Sequence, residues 1–396
     1  IGITTPSCHL PEVILEQKVA AKAPATQKAL QCNSITRLKQ EYSTLAESLK
    51  AAGYATAHFG KWHLGAEPYD ALHQGFDVDM PHTFQPAPVG GYLGPWSFWK
   101  DKGQPGEHIE DRMAREASQF IADHKDRPFY LNYWAFSVHS PWQAKKDYIE
   151  KYRGRTDPKN ANRSAVYGAM VQSLDEGVGR ILQAIDDAGI ASNTIIVFFS
   201  DNGGVFWEPG PGVMHPGYEK IPPTSNAPLR AGKATLYEGG TREPCIVVWP
   251  GKAKAGSRSD EVVSSVDFHP TLLEMTGVTA AGAGKFDGIS FVPALSGKAI
   301  KREAIFCHFP HYAPRTGGRP GSYVRKGDWK LIRFWSDNDD QSDRFELYNL
   351  KKDVRESSNM AGQMPGKVKE LNILLEGFLR DTKAVIPKPN PDYRKT

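Results

Sequence analysis

Two continuously apolar segments constrain the fold of this chain more than any other feature. They cover residues 195–199 (IIVFF) and residues 245–249 (CIVVW). A strand that alternates apolar and polar residues exposes one face, whereas a continuously apolar strand is typical of a parallel sheet covered by helices on both faces. The sequence therefore predicts two buried strands in an α/β domain.

Helical and strand patterns alternate around these segments. Thr44 and Glu47 fit a capping box at the start of a helix that Gly53 ends. Apolar periodicity predicts further helices over residues 108–124 and 161–188, and strands over residues 54–59 and 129–136. This order of elements indicates a doubly wound α/β domain, in which ligands bind beyond the carboxyl ends of the strands.

The pattern changes near residue 300, so we expect an α/β domain over residues 1–300 and a smaller α+β subdomain over residues 301–396. Short strands are predicted at residues 304–309, 322–325, 329–334 and 345–350. Gly327 and Asp328 indicate a hairpin between the middle two. A helix with an apolar stripe from Val368 to Leu379 follows, and the proline-rich tail over residues 387–396 is predicted to be loose. The subdomain is thus expected to be an antiparallel sheet covered by one helix.

Charge and composition exclude several classes of protein. The 396 residues carry a formal net charge of +4, and the basic residues are scattered, so nothing indicates a nucleic-acid partner. No apolar run is long enough for a membrane span. The four cysteines have no CxxC spacing, which leaves two disulfides possible and makes a zinc site unexpected.

Asp201 and Asn202 follow the first apolar segment directly and precede two glycines. Two adjacent oxygen-bearing side chains at a strand end suit a hard cation such as calcium. An amide oxygen is a poor zinc ligand, so the pair argues against a zinc site. The alternative is an Asx turn with no metal.

Four basic side chains also lie at predicted strand ends. Lys61 and His63 belong to FGKWHLG, His139 to SVHSPW, and Lys233 to a glycine-rich loop. Each has a structural alternative, either a solvated lysine or a hydrogen-bonded histidine. Because all four are expected at one edge of one sheet, together they predict an oxyanion site with an acid available for a leaving group.

At these residues the chain resembles the type I sulfatases, the formylglycine-dependent branch of the alkaline-phosphatase-like superfamily. The likeness covers nearly the whole chain and rests on the segments GYATAHFGKWHLG, FFSDNGG, GKATLYEGGTREP and LYNLKKDVRESSN. It implies a mixed sheet sandwiched by helices. It also implies that Lys61 and His63 contact the sulfate or the nucleophile, that His139 and Lys233 bind the sulfate and the leaving oxygen, and that Asp201 and Asn202 hold Ca²⁺.

The chain departs from that family at the nucleophile. The family uses a Cys or Ser in C/S-x-P-x-R, which a formylglycine-generating enzyme oxidises, and two acidic residues on an earlier strand complete the calcium site. Neither feature is present, and Cys8 and Cys32 lack the required Pro and Arg. In the family, the stretch that resembles IGITTP follows shortly after the nucleophile helix. The resemblance therefore implies an N-terminally truncated chain with no nucleophile of its own.

The resemblance further implies a sulfated substrate and a periplasmic or secreted location. Trp96, Trp99, Trp142 and Trp207 lie near the strand-end motifs and either stack on sugars or belong to the core. His308, His311 and Arg315 are the candidate sugar contacts in the smaller domain, which favours a sulfated glycan over a small aryl sulfate. Two alternatives remain: a phosphatase or phosphodiesterase of the same fold, and a non-catalytic protein that binds sulfated glycans.

Overall fold

The computed structural model describes residues 18–34, 37–99, 101–155, 164–208, 210, 221–282 and 286–395. Its strands are β1 (Ala29–Leu30), β2 (Ala55–Gly60), β3 (Val78–Met80), β4 (Phe129–Trp134), β5 (Ile196–Phe199), β6 (Cys245–Val248), β7 (Ile305–Phe309), β8 (Gly321–Lys326), β9 (Trp329–Phe334), β10 (Arg344–Asn349) and β11 (Lys388–Pro389). Its helices are α1 (Leu45–Ala51), α2 (Ile109–His124), α3 (Lys146–Arg153), α4 (Ala165–Asp187), α5 (Glu238–Thr241), α6 (Phe268–Thr276), α7 (Val292–Leu295) and α8 (Pro365–Asp381).

A parallel sheet of order β3-β2-β4 supports the first half of the chain. Helix α1 leads into β2 and begins with the predicted capping box of Thr44 and Glu47. Helices α2 and α4 pack against each other, and their core includes the fully buried side chains of Met113 and Met170. This is the predicted mixed α/β architecture, with the polar ends of β2 and β4 at the same edge.

Strands β5 and β6 correct the prediction drawn from the two apolar segments. They form an antiparallel pair, with Phe198 opposite Ile246 and Ile196 opposite Val248. Ile246 is 59% exposed and Phe198 is 40% exposed, so neither strand is buried on both faces. A continuous apolar run indicates that a strand tends to be buried, but it does not determine whether the partner strand is parallel or antiparallel.

The C-terminal part has the predicted antiparallel sheet, of order β10-β9-β8-β7. Strands β8 and β9 form the hairpin expected around Gly327. Helix α8 covers one face and buries Leu371 and Leu375 against Val324 and Leu331. We propose that the boundary of this subdomain lies near residue 300, where the antiparallel pattern begins.

Both ends of the described chain are attached to the C-terminal sheet. Strand β1 pairs with β11, and the backbone N–H of Cys32 donates to the carbonyl of Pro310 (3.0 Å). Asn390 is 1% exposed and its side chain donates to the carbonyl of Gln27 (2.8 Å). The prediction of a loose tail is therefore wrong for residues 387–395, because the prolines of this segment leave enough backbone donors and acceptors for docking.

Three of the cysteines, Cys32, Cys245 and Cys307, are free thiols, and Cys8 lies outside the described residues. Burial raises the pKa of the Cys32 thiol to about 12, so this group stays protonated and unreactive at neutral pH. None of the helices in the described part of the chain combines the length and apolar character that crossing a bilayer requires.

A buried ion cluster joins the C-terminal sheet to helix α5. Lys330 is fully buried, and its ammonium group lies 2.9 Å from a carboxylate oxygen of Glu238 and 3.0 Å from one of Glu356. The other carboxylate oxygen of Glu356 accepts a hydrogen bond from the backbone N–H of Glu238 (2.6 Å). This cluster fixes the segment that follows Lys233 against strands β9 and β10.

We predict that Lys330→Met lowers the free energy of unfolding by about 3–5 kcal/mol, because it removes the one ammonium group that contacts both buried carboxylates and leaves Glu238 only the more distant Arg242 and Arg325 at 3.7 and 3.8 Å. The matched control is Lys326→Met, which breaks an exposed pair with Glu303 and should cost at most about 1 kcal/mol. Urea titrations followed by circular dichroism measure both variants. Equal losses in the two variants would contradict the role given to the buried cluster.

Candidate active site

The FGKWHLG turn is fixed by a close approach of two strands. Gly60 ends β2 with φ = 113°, and a Cβ at this position would lie 1.9 Å from the carbonyl oxygen of Trp134. That carbonyl accepts a hydrogen bond from the backbone N–H of Lys61 (2.7 Å). Trp62 stacks on the Trp134 ring at 5.8 Å. Only glycine fits at position 60. The turn therefore places the backbone of Lys61 at a fixed position beyond the edge of the sheet.

His139 is held by two side chains from other elements. The hydroxyl of Tyr92 donates to the carbonyl of His139 (2.8 Å), and the buried Glu110 accepts a hydrogen bond from the backbone N–H of Ser137 (2.8 Å). The Nδ1 of His139 lies 2.8 Å from the carbonyl oxygen of Ser140 and donates to it. This contact assigns the proton of the neutral ring to Nδ1 and leaves Nε2 as the nitrogen available to a ligand.

The loop that carries Lys233 has an uncommon backbone. Ala231 and Ala234 have φ values of 59° and 61°, a region that residues with a Cβ rarely adopt. The Asn226 side chain holds the loop by donating to the carbonyl of Ala231 (2.9 Å), and the backbone N–H of Lys233 donates to the carbonyl of Gly204 (3.2 Å). Such strain persists where surrounding contacts over-determine the conformation, and it is common at functional sites.

The structure brings the predicted basic residues together. Burial and then the positive charge of Lys233 lower the pKa of Lys61 to about 8, with the charge of Asp201 opposing the shift. Burial, then Lys233 and Lys61, lower the pKa of His139 to about 3, and His63 adds to the same effect. Burial also lowers the pKa of Lys233, again opposed by Asp201. These side chains are therefore close enough to repel one another.

Such a cluster is built for an anion. Buried cations that repel each other are costly, and an anion among them removes the repulsion and restores their protonated forms. With a pKa of about 3, His139 is neutral at pH 7 before any anion binds. A tetrahedral oxyanion, whose oxygens can accept from several donors at once, is the class of ligand that suits this arrangement.

The predicted calcium ligands lie at the end of β5. In the antiparallel register of β5 and β6, Asp201 comes opposite Glu243, and burial followed by the charge of Asp201 raises the pKa of Glu243 to about 7. Glu243 Oε1 is buried and has no hydrogen-bond partner among the residues that the structure describes. With the adjacent Asn202, this donor set consists of oxygens and fits a hard cation such as Ca²⁺. Among the described residues, no group of three or more His, Cys, Asp or Glu side chains is placed to hold a metal ion.

Glu243 is not among the predicted ligands, since Arg242 and Glu243 in such a glycine-rich loop more often hold the loop in place. Arg242 does so: its guanidinium lies 3.7 Å from Glu238. Glu243 instead faces the strand end that carries Asp201. The signal that could have found it is the strand register, because antiparallel pairing of the two apolar segments places residues 201 and 243 side by side.

The three predicted sugar contacts, His308, His311 and Arg315, lie in different surroundings. Both ring nitrogens of His308 are engaged inside the C-terminal subdomain, with Ser322 (2.7 Å) and the carbonyl of Val385 (3.0 Å). His311 is 6% exposed and lies 3.4 Å from the Ser34 hydroxyl. Arg315 lies apart from them and reaches towards Gly210. Of the three, Arg315 is the side chain whose guanidinium is directed at the loops of the α/β part.

For three of the four tryptophans, the structure selects the core alternative. Trp96, Trp99 and Trp142 are buried in the core cluster that packs α2 and α4, at 1%, 7% and 3% exposure. They are not available to stack on a sugar. Trp207 is the one of the four that is partly exposed, and it packs edge-to-face on Phe206.

Comparison with known proteins agrees with this geometry. The family model described as Sulfatase matches residues 12–278, and the model described as N-sulphoglucosamine sulphohydrolase, C-terminal, matches residues 231–383. A sulfatase of Formosa agariphila is 28% identical over 85% of this chain and 68% of that protein. Human N-acetylgalactosamine-6-sulfatase is 31% identical over 66% of this chain, and the match spans half the length of that relative.

Solved structures show the same fold. A protein in complex with its substrate D-glucosamine-2-N,6-O-disulfate superposes with a TM-score of 0.68 at 22% sequence identity, covering 91% of this chain and 85% of that chain. The fold and the basic strand-end site thus define an α/β protein of the alkaline-phosphatase-like superfamily. Within that superfamily, the chain belongs to the type I sulfatase family, whose characterised relatives above are sulfuric ester hydrolases.

We predict that binding of inorganic sulfate takes up protons through Lys61. The pKa of Lys61 is about 8 in the free site and rises when the anion arrives. Proton uptake through Lys61 should therefore be largest above pH 8, between the pKa values of the free and the bound site, and affinity should fall as pH rises through this range. Calorimetry in buffers of different ionisation enthalpy measures the uptake.

Lys61→Met should lower the uptake above pH 8, where Lys61 is partly deprotonated in the free site, whereas replacing the exposed Lys298 with Met should leave it unchanged. The assignment to Lys61 is wrong if the proton count above pH 8 is the same in both variants.

Proposed function

We propose that the protein is a sulfatase that hydrolyses sulfate esters on a sulfated carbohydrate. The observation that carries this proposal is the meeting of Lys61, His139 and Lys233 around the strand end that holds Asp201. Three partly buried basic groups with only the charge of Asp201 to offset their repulsion make a site that favours an anionic ligand. The family membership of the chain supports a sulfate ester as that anion.

Each residue of the site has a distinct task in the proposed reaction. Lys61 and Lys233 bind the sulfuryl oxygens and neutralise the charge that develops on them. His63 follows Lys61 in the same turn and orients the nucleophile. His139, which is neutral before binding, takes up a proton at Nε2 when the anion arrives and then donates it to the leaving oxygen. Together these tasks describe displacement at sulfur, in which the S–O bond to the sugar breaks and the proton from His139 converts the leaving oxygen into a neutral alcohol.

The proposed metal is calcium, held by Asp201 and Asn202. The unpartnered oxygen of Glu243 supports a third protein ligand on the same side. A bound calcium ion would withdraw electron density from the sulfuryl oxygens. The amide of Asn202 and the absence of a histidine or cysteine among these ligands favour calcium over zinc.

The nucleophile is proposed to be formylglycine, produced from Cys or Ser by a formylglycine-generating enzyme. The type I sulfatase family is the basis of this proposal, because the sequence has no C/S-x-P-x-R motif. Among the described cysteines, Cys32 lies on the C-terminal subdomain and Cys245 begins β6, and neither belongs to such a motif. The periplasmic or secreted location implied by the family stays a prediction.

A phosphatase of the same fold and a non-catalytic glycan-binding protein are the two alternatives. Two zinc ions per chain in a metal analysis would favour the phosphatase. A binding protein would retain affinity for sulfated sugars in the whole encoded protein without releasing sulfate.

The proposal is tested by sulfate release from sulfated oligosaccharides and from nitrophenyl sulfate, using the whole encoded protein. We expect a higher kcat/KM on the oligosaccharides. His139→Ala and Lys233→Ala should each lower kcat by at least about 100-fold, as the loss of a positioned acid or charge does. Replacement of the partly exposed His73 by Ala, remote from the site, serves as control. A clear preference for the aryl ester would overturn the carbohydrate assignment, and near-native turnover in both variants would remove the two residues from the mechanism.

We also predict that Asp201→Asn and Glu243→Gln each weaken calcium binding by at least about 10-fold, because the charge of the ligand set determines affinity. Asp260→Asn is the control, since Asp260 is exposed and away from the site. Titration calorimetry of the metal-free whole protein with Ca²⁺ gives the affinities. Unchanged affinity in the Asp201 variant would mean that the metal, if any, binds elsewhere.

A further inference from the structure

A cavity lies next to the loop that carries Lys233. Its volume is about 470 Å³, within the range of small-molecule sites, and it separates this loop from the C-terminal sheet. Ala231 and Ala234 form the wall on the loop side, and Phe309 and Phe334 form the wall on the sheet side. Because Ala234 follows Lys233 directly, the cavity begins one residue away from the proposed sulfate-binding lysine.

The polar wall of this cavity is a row of alternating charges. Arg319 bonds to Asp337, whose other oxygen accepts a hydrogen bond from Nε of Arg344 (2.7 Å). Arg344 bonds in turn to Glu346, and Arg230 lies 3.7 Å from the same carboxylate. The row contains three arginines and two carboxylates, so its formal charge is 3 − 2 = +1. The cavity therefore has one positive charge more than its own ion pairs neutralise.

The excess charge is available at the Arg319 end of the row. The Arg319 side chain is 48% exposed, and its hydrogen bond to Asp337 uses Nη1. A guanidinium group has five N–H donors, so the group can bind a second oxygen ligand without leaving Asp337. Arg230, at the other end, is packed on the Tyr237 ring at 3.8 Å and donates to the carbonyl of Glu356 (2.8 Å).

The remaining walls suit a sugar ring. The rings of Phe206, Phe309 and Phe334 line the cavity opposite or beside the charged row. Aromatic faces pack well against the apolar C–H faces of sugars, while alternating arginines and carboxylates offer both donors and acceptors to hydroxyl groups. An apolar ligand would leave the charged row unpaired, and a simple inorganic anion would leave the aromatic walls uncovered.

We propose that this cavity binds a sugar unit that carries a negative charge, next to the unit that carries the sulfate ester. The inference rests on the proposed sulfatase function and makes it more specific: the preferred substrate is a glycan whose neighbouring unit is anionic. The charge can be a carboxylate or a second sulfate, since Arg319 forms paired hydrogen bonds with either. The cavity thus selects among sulfated glycans, while the Lys233 site binds the group that reacts.

Binding calorimetry on the chain tests this with four probes: inorganic sulfate; a disaccharide of a 6-O-sulfated N-acetylhexosamine and glucose; the same disaccharide with glucuronic acid in place of glucose; and the same with a glucose sulfate in that place. We expect both anionic disaccharides, or one of them, to bind at least about 10-fold more tightly than the neutral one. The tighter of the two identifies the preferred anion.

Arg319→Gln should remove this 10-fold preference and leave affinity for the neutral disaccharide within about 2-fold. Arg319→Lys, which keeps the charge, should restore part of it. In the Arg319→Gln variant, Asp337 still accepts its hydrogen bond from Arg344. A melting curve checks that the variant is folded. The exposed Arg355→Gln is the matched control.

The outcomes distinguish a failure of the cavity proposal from a failure of the proposed sulfate site. If the wild-type chain binds the three disaccharides equally, or if Arg319→Gln keeps the preference, the cavity proposal is wrong while the sulfatase proposal stands. If the chain binds none of the sulfated probes and Lys233→Ala changes nothing, the sulfate site itself is misassigned.

Discussion

The ammonium group of Lys330, enclosed between the carboxylates of Glu238 and Glu356, is the contact on which the arrangement of the site depends. Glu356 also binds the backbone of Glu238, and its carbonyl accepts a hydrogen bond from Arg230. Residues 230 and 238 bracket the loop that carries Lys233, so the C-terminal sheet determines where that lysine lies. A charge buried this deeply is strongly penalised in any other arrangement, which makes the position of the loop specific as well as stable.

The chemistry of the site follows from the repulsion between its basic side chains. Lys61, His139 and Lys233 are brought together by three different loops, each of which is fastened by its own hydrogen bonds: Gly60 against Trp134, the segment before His139 on Glu110, and the Lys233 loop on Asn226. The folded chain therefore holds repelling groups in place before any ligand arrives. The energy that an anion releases by joining them is available to binding and to charge stabilisation, because no further reorganisation is required.

Much of this was accessible from the sequence because local patterns determine local structure. The capping box of Thr44 and Glu47, the strand that ends at Gly60 and the hairpin at Gly327 all formed as predicted. Strand direction was not accessible: residues 195–199 and 245–249 are equally apolar in a parallel or an antiparallel pair, and the choice depends on contacts distant in sequence. For the same reason the sequence did not reveal Glu243, because the strand register brings it next to Asp201. The burial of Trp96, Trp99 and Trp142 was also not predictable, because it depends on how the helices pack.

The β5–β6 pair has a practical consequence. Phe198 and Ile246 lie opposite each other, as do Ile196 and Val248, so one face of the pair presents a continuous apolar surface, of which Ile246 and Val248 are 59% and 45% exposed. Surfaces of this kind bind the fluorescent dyes that are commonly used to follow melting, and they favour self-association at the concentrations needed for crystallisation. For the isolated chain, a dye would fluoresce before any unfolding, and light scattering or intrinsic tryptophan fluorescence would be the more informative way to judge the quality of a preparation.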